Sequence, residues 1–298
     1  MMNNKKGLER SLTKSLQEYL RGIVGGLLFS LPLLYTMEVW WAGYLTHPSR
    51  LLLYVLATFT LLLGYNRYAG LRRSASPVEV AIDSVEEMGI GLVIAAIVLW
   101  LLGQIEADMP ISEIVGKVIV EAMTVAIGVS VGTAQLGGGE GEQEKDKGMK
   151  GETSYTSSSP VPLFTGDNSD FGGQLAIALC GAMLFAANVA PTEEIIQIAI
   201  ETSAMKLLGL ALLSILLATL ILFYSDFTGS ERFSQTRGIK TVVFGAVVTY
   251  AIALVASAAI LWFFGRFDDT GMIVCLAQTV VLGVAATLGA SAGRLLLQ

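Results

Sequence analysis

The sequence predicts an all-α fold, a polytopic membrane helix bundle in which eight transmembrane helices form two parallel four-helix repeats. Composition is the first observation, because 53% of the 298 residues are hydrophobic and only 15% are charged. A mean hydropathy of +0.64 is typical of chains that cross a membrane several times. Eight long apolar segments and an internal repeat are the second and third observations.

The apolar segments are long enough to cross a bilayer, which takes about 20 helical residues. The segment at 50–66 is the shortest and leaves little room for tilt. The predicted spans are 22–44, 50–66, 78–103, 111–136, 172–196, 204–224, 239–265 and 271–295.

The basic residues indicate how these spans are oriented. With eight spans, fifteen of the 19 Lys and Arg residues fall on the side of the N-terminus. Because positively charged loops stay in the cytoplasm, we expect both termini there, in a multi-pass protein of the inner (plasma) membrane. Trp40, Trp41 and Tyr44 close the first span, as an aromatic belt at the outer interface would.

Two segments lie outside the spans. Residues 1–21 show no cleavage-site pattern, so we expect an amphipathic cytosolic helix rather than a signal peptide. Residues 137–171 are rich in Gly, Ser and charge, which predicts a flexible cytosolic linker. The predicted organisation is the N-terminal segment 1–21, a first repeat at 22–136, the linker at 137–171 and a second repeat at 172–298.

The internal repeat connects the two halves. The stretch GGLLFSLPLLYTME at 25–38 aligns without a gap with GAMLFAANVAPTEE at 181–194, and five of the fourteen positions are identical. Leu-Trp at 99–100 with Gly103 returns as Leu-Trp at 261–262 with Gly265. Because each repeat has an even number of spans, both should insert in the same orientation, related by a pseudo-twofold axis along the membrane normal.

These residues carry a family resemblance. The pairing of LLFSLPLLYTMEVWWAG with LFAANVAPTEEI resembles an uncharacterised prokaryotic family of integral membrane proteins, of the domain-of-unknown-function type. The resemblance covers nearly the whole chain except the linker. It implies a polytopic membrane fold and, in some genomes, a small neighbouring gene product as a single-span partner protein. It implies no reaction.

The repeated carboxylate is the strongest functional signal, because an acidic side chain inside a membrane is costly. In a straight first span, Glu38 would lie about 9 Å below the outer edge, near Thr36. Glu194 would lie at the matching depth, with Glu193 beside it and Thr192 below. Two facing carboxylates would hold a proton or a cation. The alternative is that each acid reaches the outer interface or caps a neighbouring helix.

Pro32 and Asn188 occupy the same place in the two copies of the repeat. Proline leaves a backbone carbonyl without its helical N–H partner, and asparagine offers a side-chain oxygen instead. Both copies would then present oxygen to a pathway. Pro191, just before Thr192 and Glu194, marks a second point at which the fifth span can break. The alternative, that such proline kinks only fit helix packing, stays open.

Glu121 is the deepest predicted acid, about 15 Å below the outer start of its span. Lys117 and Glu113 share its helical face, so a Lys117–Glu121 ion pair and a role in a pathway are both open. Gln278 takes the aligned position in the last span.

Other polar and small residues have structural interpretations. For the acids near the cytosolic end of the third span, pairing with basic residues at the inner rim is the alternative to function. These acids are Asp83, Glu86 and Glu87, and the basic residues are Arg67, Arg72 and Arg73. Glycines on the fourth and eighth spans predict close packing between the halves or in a homo-oligomer. They include Gly128, Gly132, Gly289 and Gly293.

Enzymatic and nucleic-acid functions find little support. The single histidine, His47, lies in an outer turn, and the sequence has no HExxH, GxSxG or glycine-rich dinucleotide motif. Cys180 and Cys275 lie in apolar runs, which indicates buried hydrophobes rather than metal ligands. We therefore expect no enzyme, no cofactor and no nucleic-acid partner.

The leading hypothesis is a cation- or proton-coupled transporter or channel in the lipid bilayer, built on intramembrane carboxylates. The expected ligands for the ion or substrate are Glu38, Glu194, Glu121, Glu193, Thr36, Thr192 and Asn188. The alternative is a non-transporting scaffold or accessory subunit that binds a small partner membrane protein. A polar cavity joining the acids would favour transport, whereas acids paired off singly in a dry bundle would favour the scaffold.

Overall fold

The structure, a computed structural model, describes residues 2–70, 76–136, 168–229 and 239–295. Within these ranges all regular secondary structure is helical, which confirms the predicted fold class. The helices are α1 Met2–Leu34, α2 Met37–Leu45, α3 Pro48–Tyr68, α4 Pro77–Leu101, α5 Ile111–Leu136, α6 Asn168–Val189, α7 Glu193–Glu201, α8 Ala204–Gly229, α9 Ile239–Phe263 and α10 Met272–Leu295.

Seven of the described helices are long and apolar enough to cross a membrane: α3, α4, α5, α6, α8, α9 and α10. An eighth span is formed if α1 and α2 are counted together, but these helices are bent by 87°. α1 runs without interruption from Met2 to Leu34, so one helix includes the predicted N-terminal segment and the start of the first span. Most of the predicted linker, residues 137–167, lies outside the described residues.

The predicted first and fifth spans, 22–44 and 172–196, are each interrupted by a break in the helix. α1 ends at Leu34 and α6 ends at Val189, and a short helix of nine residues follows each of them. Proline is the physical reason, because it removes a helical N–H donor and crowds the preceding turn. Pro32 lies in the last turn of α1, and Pro191 lies in the break before α7.

The repeated Leu-Trp motif marks two identical helix ends. Gly103 and Gly265 follow α4 and α9 with φ of 71° and 69°, a left-handed conformation that suits glycine. The next residue donates its backbone N–H back to the leucine of the motif, from Gln104 to Leu99 at 2.8 Å and from Arg266 to Leu261 at 2.9 Å. Both turns are therefore Schellman caps.

Each half is built around its last helix. α5 packs most extensively on α1 and α4, and α10 packs most extensively on α6 and α9. Glycine allows the closest approaches, since a Cβ at Gly25 would overlap Gly132 on α5, and one at Gly181 would overlap Gly289 on α10. The prediction that these small faces join the halves is therefore wrong, because they are filled within each half. The structure gives no support for a homo-oligomer through them.

The two halves meet in a one-sided way. α6 of the second half packs against α3, and less extensively against α1 and α5. A twofold interface would place α1 against α8 to the same extent, and no comparable contact exists between these described helices. The predicted pseudo-twofold interface is therefore wrong, although both halves share the same order of helices. Duplication of an ancestral unit stays a prediction.

Candidate functional site

The main candidate site is a cavity of about 630 Å³ between the two halves, at the end of the bundle opposite the start of α1. We call it the mixed-charge cavity. The first half contributes α2 and the turn into α3, and the second half contributes the breaks before α7 and after α9. Its lining residues are Glu38, Trp41, Ala42, Leu45, Thr46, His47, Ser49, Arg50, Pro191, Glu193, Phe264, Gly265, Arg266 and Asp268.

Two helix breaks place acids at this cavity. Thr36 and Thr192 precede the first residues of α2 and α7, with extended backbone conformations. Their hydroxyls donate backwards, from Thr36 to the carbonyl of Pro32 at 2.8 Å and from Thr192 to the carbonyl of Val189 at 2.9 Å. Glutamates in the first turn of a helix interact favourably with the helix dipole. The breaks thus explain why the repeat carries Thr and Glu together.

The acids at the cavity are Glu38 and Glu193. Glu38 is half-buried, whereas Glu193 and Glu194 are both exposed. Glu194, the residue that aligns with Glu38, does not line the cavity. Of the two arrangements left open for Glu38 and Glu194, a shared site at this cavity is therefore not found, and the bend after α1 places Glu38 in α2 rather than within a continuous first span. Among the predicted ligands, the cavity brings Glu38 and Glu193 together.

Arg50 and Asp268 form a bidentate ion pair across the two halves. The guanidinium nitrogens of Arg50 lie 2.8 and 2.9 Å from the carboxylate oxygens of Asp268. The hydrogen bonds from Arg50 hold the pKa of Asp268 below its ordinary value. Arg50 also lies over the ring of Trp262 at 5.2 Å. Arg50 and Asp268 both line the cavity, and each neutralises the charge of the other.

Arg266 is a second guanidinium at the cavity. It follows the Gly265 turn, and its Nε is buried without a hydrogen-bond partner among the described residues. Within the same ranges, no carboxylate forms an ion pair with it. In the sequence, Arg266 is one of the four basic residues outside the fifteen on the side of the N-terminus. Its place one residue after a repeated glycine was the signal that could have identified it.

Lys117 pairs with Glu113, not with Glu121. Its Nζ lies 2.7 Å from Oε1 of Glu113 and donates to the carbonyl of Gln104 at 3.3 Å. The aromatic ring of Tyr44 lies 6.0 Å from the same nitrogen. The possibility of a Lys117–Glu121 pair is therefore wrong for this structure, and Glu121 is left without its expected partner.

Glu121 is buried in the first half. It is 0% exposed, and neither carboxylate oxygen has a hydrogen-bond partner among the described residues. At the helical rise of about 1.5 Å per residue, it lies about 15 Å along α5 from Ile111. One turn further along α5, Thr124 bonds to the hydroxyl of Tyr54 at 3.0 Å. Glu121 does not line the mixed-charge cavity, so this cavity does not join all the predicted acids.

A second polar group lies deeper in the first half, and we call Asn66, Ser84, Glu87 and Ser130 the inner polar network. Asn66 of α3 donates to Glu87 at 2.7 Å and to Ser84 at 3.1 Å. Ser130 of α5 donates to the Asn66 carbonyl oxygen at 3.0 Å. The sequence pointed to Glu87 but paired it with basic residues at the rim, of which Arg72 and Arg73 lie outside the described residues. Asn66 was missed.

Asn188 bridges the proline break of the other half. Its Oδ1 accepts from the backbone N–H of Leu33 at 3.0 Å, and its Nδ2 donates to the carbonyl of Phe29 at 3.0 Å. Nδ2 also donates to the carbonyl of Leu184 within α6, at 2.6 Å. The amide therefore joins α6 to the last turn of α1, next to Pro32. Because the Asn188 amide bonds to these backbone groups, the structure favours a packing role for Asn188 and Pro32 over a role as oxygen ligands.

Metal binding finds no geometric support in the described part of the chain. No three His, Cys, Asp or Glu side chains there come together as metal ligands would. Cys180 is buried and Cys275 is half-buried, and neither forms a disulfide.

Comparison with known proteins gives one match. Residues 18–297 match a family model described as "Putative integral membrane protein (DUF2391)". Neither a curated protein nor a solved structure matches the chain. The match confirms the resemblance to a membrane family of unknown function, while the prokaryotic range and the duplication stay expectations.

Proposed function

The chain belongs to the DUF2391 family of integral membrane proteins, and we propose that it is a proton- or cation-coupled transporter. On this proposal it is a multi-pass protein of the inner membrane with both termini in the cytoplasm. The mixed-charge cavity then opens to the outside, and the inner polar network lies towards the cytoplasm. The chain's own carboxylates bind and release the coupling ion.

The buried carboxyl of Glu121 is the observation that carries the proposal. Both of its oxygens lack partners among the described residues, and it is fully buried in an apolar helix bundle. A carboxylate in such a place is costly unless a proton or a cation compensates it. A side chain that only filled space would be better replaced by an apolar residue. Reversible binding of a proton or a cation would explain why the protein has a buried carboxyl group at this position despite its free-energy cost.

The other polar groups of the first half extend a route from Glu121. Glu38 and Glu193 at the cavity would collect the cation before it reaches the bundle. Thr124, which bonds to Tyr54, lies one turn beyond Glu121 on α5, and Ser130 of the inner polar network lies about 14 Å beyond Glu121 on the same helix. Transfer from the cavity to these groups requires a rearrangement, since Glu121 is fully buried and does not line the mixed-charge cavity.

The rival proposal, a membrane scaffold or accessory subunit for a small partner protein, has a specific observation in its favour. The side chains of Thr36, Thr192 and Asn188 all form hydrogen bonds with backbone groups near helix ends, which these bonds stabilise. Glu194 lies away from the cavity. Four of the seven expected ligands thus have a structural role or none at this site. The buried Glu121 is what a scaffold leaves unexplained.

A flux assay separates the two proposals. The purified protein is reconstituted into liposomes that contain a pH-sensitive dye, and a proton gradient is imposed with Na⁺ or K⁺ present. We expect wild-type flux above empty liposomes, and a loss of at least about tenfold in Glu121→Gln, because loss of a proton-transfer group commonly costs more than that. Glu38→Gln with Glu193→Gln should raise the cation concentration needed for half-maximal flux.

Glu194→Gln is the matched control, since this exposed acid lies outside the cavity. Its flux should equal that of wild type. Wild-type flux at the level of empty liposomes, or equal flux in Glu121→Gln, would reject the transport proposal and leave the scaffold.

A further inference from the structure

We propose that the mixed-charge cavity binds a small zwitterion, a solute that carries both an ammonium group and an acidic oxygen group. This inference rests on the proposed function, because it names the class of solute that the transporter would accept from the outside. It goes beyond that function by giving Arg266 a role as an anion-binding residue.

The charges of the cavity do not all cancel. Arg50 and Asp268 neutralise each other through two hydrogen bonds. The charges left over are the guanidinium of Arg266 and the carboxylates of Glu38 and Glu193. None of these three side chains forms an ion pair within the described ranges. A solute with one positive and one negative group takes one partner of each sign and leaves one carboxylate for the coupling ion.

The unpaired state of Arg266 follows from a difference between the halves. The carbonyl of Gln104 accepts from Lys117, and the carbonyl of Arg266 accepts in the same way from Gln278 at 3.3 Å. In the first half, the cation is Lys117 on the long helix, where Glu113 neutralises it.

In the second half, the corresponding cation is Arg266, which lies in the turn after α9 rather than on the last helix. Aligning the starts of α5 and α10 places Val274 where Glu113 stands, so no acid is available there. Gln278 is fully buried, and its own Oε1 has no partner among the described residues. Arg266 is therefore a cation that the fold places at a cavity without its own counter-ion.

The size and walls of the cavity suit a small polar solute. A volume of about 630 Å³ lies within the range of small-molecule pockets, roughly 300–1,000 Å³. The guanidinium fork of Arg266 matches the two oxygens of a carboxylate or phosphate. Trp41 also lines the cavity, and an indole face attracts an ammonium group. Both ends of a zwitterion thus find side chains of suitable chemistry.

The test measures binding to the detergent-purified full chain by isothermal titration calorimetry. The probes are glycine, β-alanine, γ-aminobutyrate and 6-aminohexanoate, which differ in the separation of their charges. Butylamine and butyrate serve as matched probes with one charge each. We expect at least one zwitterion to bind about tenfold or more tightly than both single-charge probes, the order expected for one charge-assisted hydrogen bond.

The variants assign the binding to the cavity. Arg266→Gln and the double variant Glu38→Gln with Glu193→Gln should each weaken the best zwitterion about tenfold or more. Arg266→Lys, which keeps the charge, should retain part of the affinity. Glu194→Gln should bind as wild type does, and size-exclusion chromatography shows which variants fold. Failure of every zwitterion, or unchanged binding in folded Arg266→Gln, would overturn the proposal.

Two further comparisons complete the design. A phosphatidylethanolamine headgroup has the same chemistry, so the titration is repeated in nanodiscs with and without this lipid. Competition by the lipid would identify a headgroup as the source, and unchanged binding would identify a free solute. Glu121→Gln should keep zwitterion binding while it loses flux. Binding without wild-type flux would therefore reject only the proposed transport, and flux without binding would reject only the zwitterion.

Discussion

The two halves of the molecule have the same arrangement of helices and helix ends, but they differ in the polar side chains buried between those helices. In each half, the first span is broken and packs through glycine against the last helix, α5 or α10. In each half, a Schellman cap also ends the third long helix, α4 or α9. Among the described residues, the buried acidic and basic side chains, Glu121 and Lys117, lie in the first half. Aligned by the starts of their helices, Glu121 corresponds to Leu282 and Glu87 to Thr249. Gln278 corresponds to Lys117, so the predicted alignment of Gln278 with Glu121 is wrong by one helical turn.

This difference separates two kinds of constraint. The positions that match are those where backbones touch or turn, and a substitution there disturbs packing in either half. The positions that differ hold the groups for which a dry, structural role is hard to give. The comparison therefore predicts that packing variants have similar effects in both halves, whereas variants of buried charge act through the first half alone.

The largest effect on stability is expected where the halves are most alike. Gly25→Ala and Gly181→Ala each place a methyl group against the backbone of the facing helix, at Gly132 and Gly289. Because two backbones must move apart, each variant should lose about 1–3 kcal/mol of unfolding free energy. Thermal unfolding in detergent measures the loss. Gly209→Ala is the matched control, since a Cβ there meets nothing within 4 Å.

Similar losses of unfolding free energy in Gly25→Ala and Gly181→Ala would support the same packing of helices in the two halves. A loss in one half alone would break the comparison, and a loss in Gly209→Ala as large as either would show that the glycine contacts are not its cause.

A smaller effect is expected at the one-sided contact between halves. Asn188→Ala leaves the backbone groups of Phe29 and Leu33 without their side-chain partner. The expected loss is about 1–2 kcal/mol, because hydrogen bonds between membrane helices contribute modestly. Thermal unfolding again measures it. Gln197→Ala should change little, since its amide bonds only to the exposed Glu201; equal losses in both variants would contradict the bridging role.

The smallest effect is expected at the exposed ion pair. Asp268→Asn removes the charge that Arg50 binds, and exposed pairs contribute less than about 1 kcal/mol. Because the folded pKa of Asp268 is lowered, the pair stabilises the fold above the ordinary aspartate pKa of about 3.9 and loses this effect as pH falls through the folded pKa.

The unfolding temperatures of wild type and Asp268→Asn should therefore differ slightly at pH 7 and converge in acid. Asp269→Asn is the neighbouring control, and it should show no such convergence. A difference between wild type and Asp268→Asn that grew as the pH fell would contradict the assigned sign.

Much of the helical framework could be predicted from the sequence, because long apolar runs and a repeated motif record it directly. The prolines indicated where the first and fifth spans could kink, but the 87° bend after α1 could not be predicted, since Pro32 lies in an apolar run long enough for a continuous span. The sequence also could not choose a partner for Lys117. Glu113 and Glu121 both lie four residues away, and the structure selects Glu113, which is closer to the end of the helix.

Contacts between distant segments were the least predictable. Asn66, Ser130 and Glu87 come from three helices, and no periodicity within one helix brings them together. Asn188 was singled out through its alignment with Pro32, yet its hydrogen bonds to α1 depend on how α6 packs against the first half. The distance of Glu121 from the start of its helix could be predicted from the sequence, whereas its full burial depends on how the neighbouring helices pack around α5.

Proton flux through liposomes containing Glu121→Asp, Glu121→Gln or Glu121→Leu tests the central claim most directly. Leucine copies the aligned residue of the second half, Leu282, so this variant should fold at least as stably as wild type. The account predicts measurable flux in the aspartate variant, and flux at the level of empty liposomes in the other two. Wild-type flux in folded Glu121→Leu would contradict it.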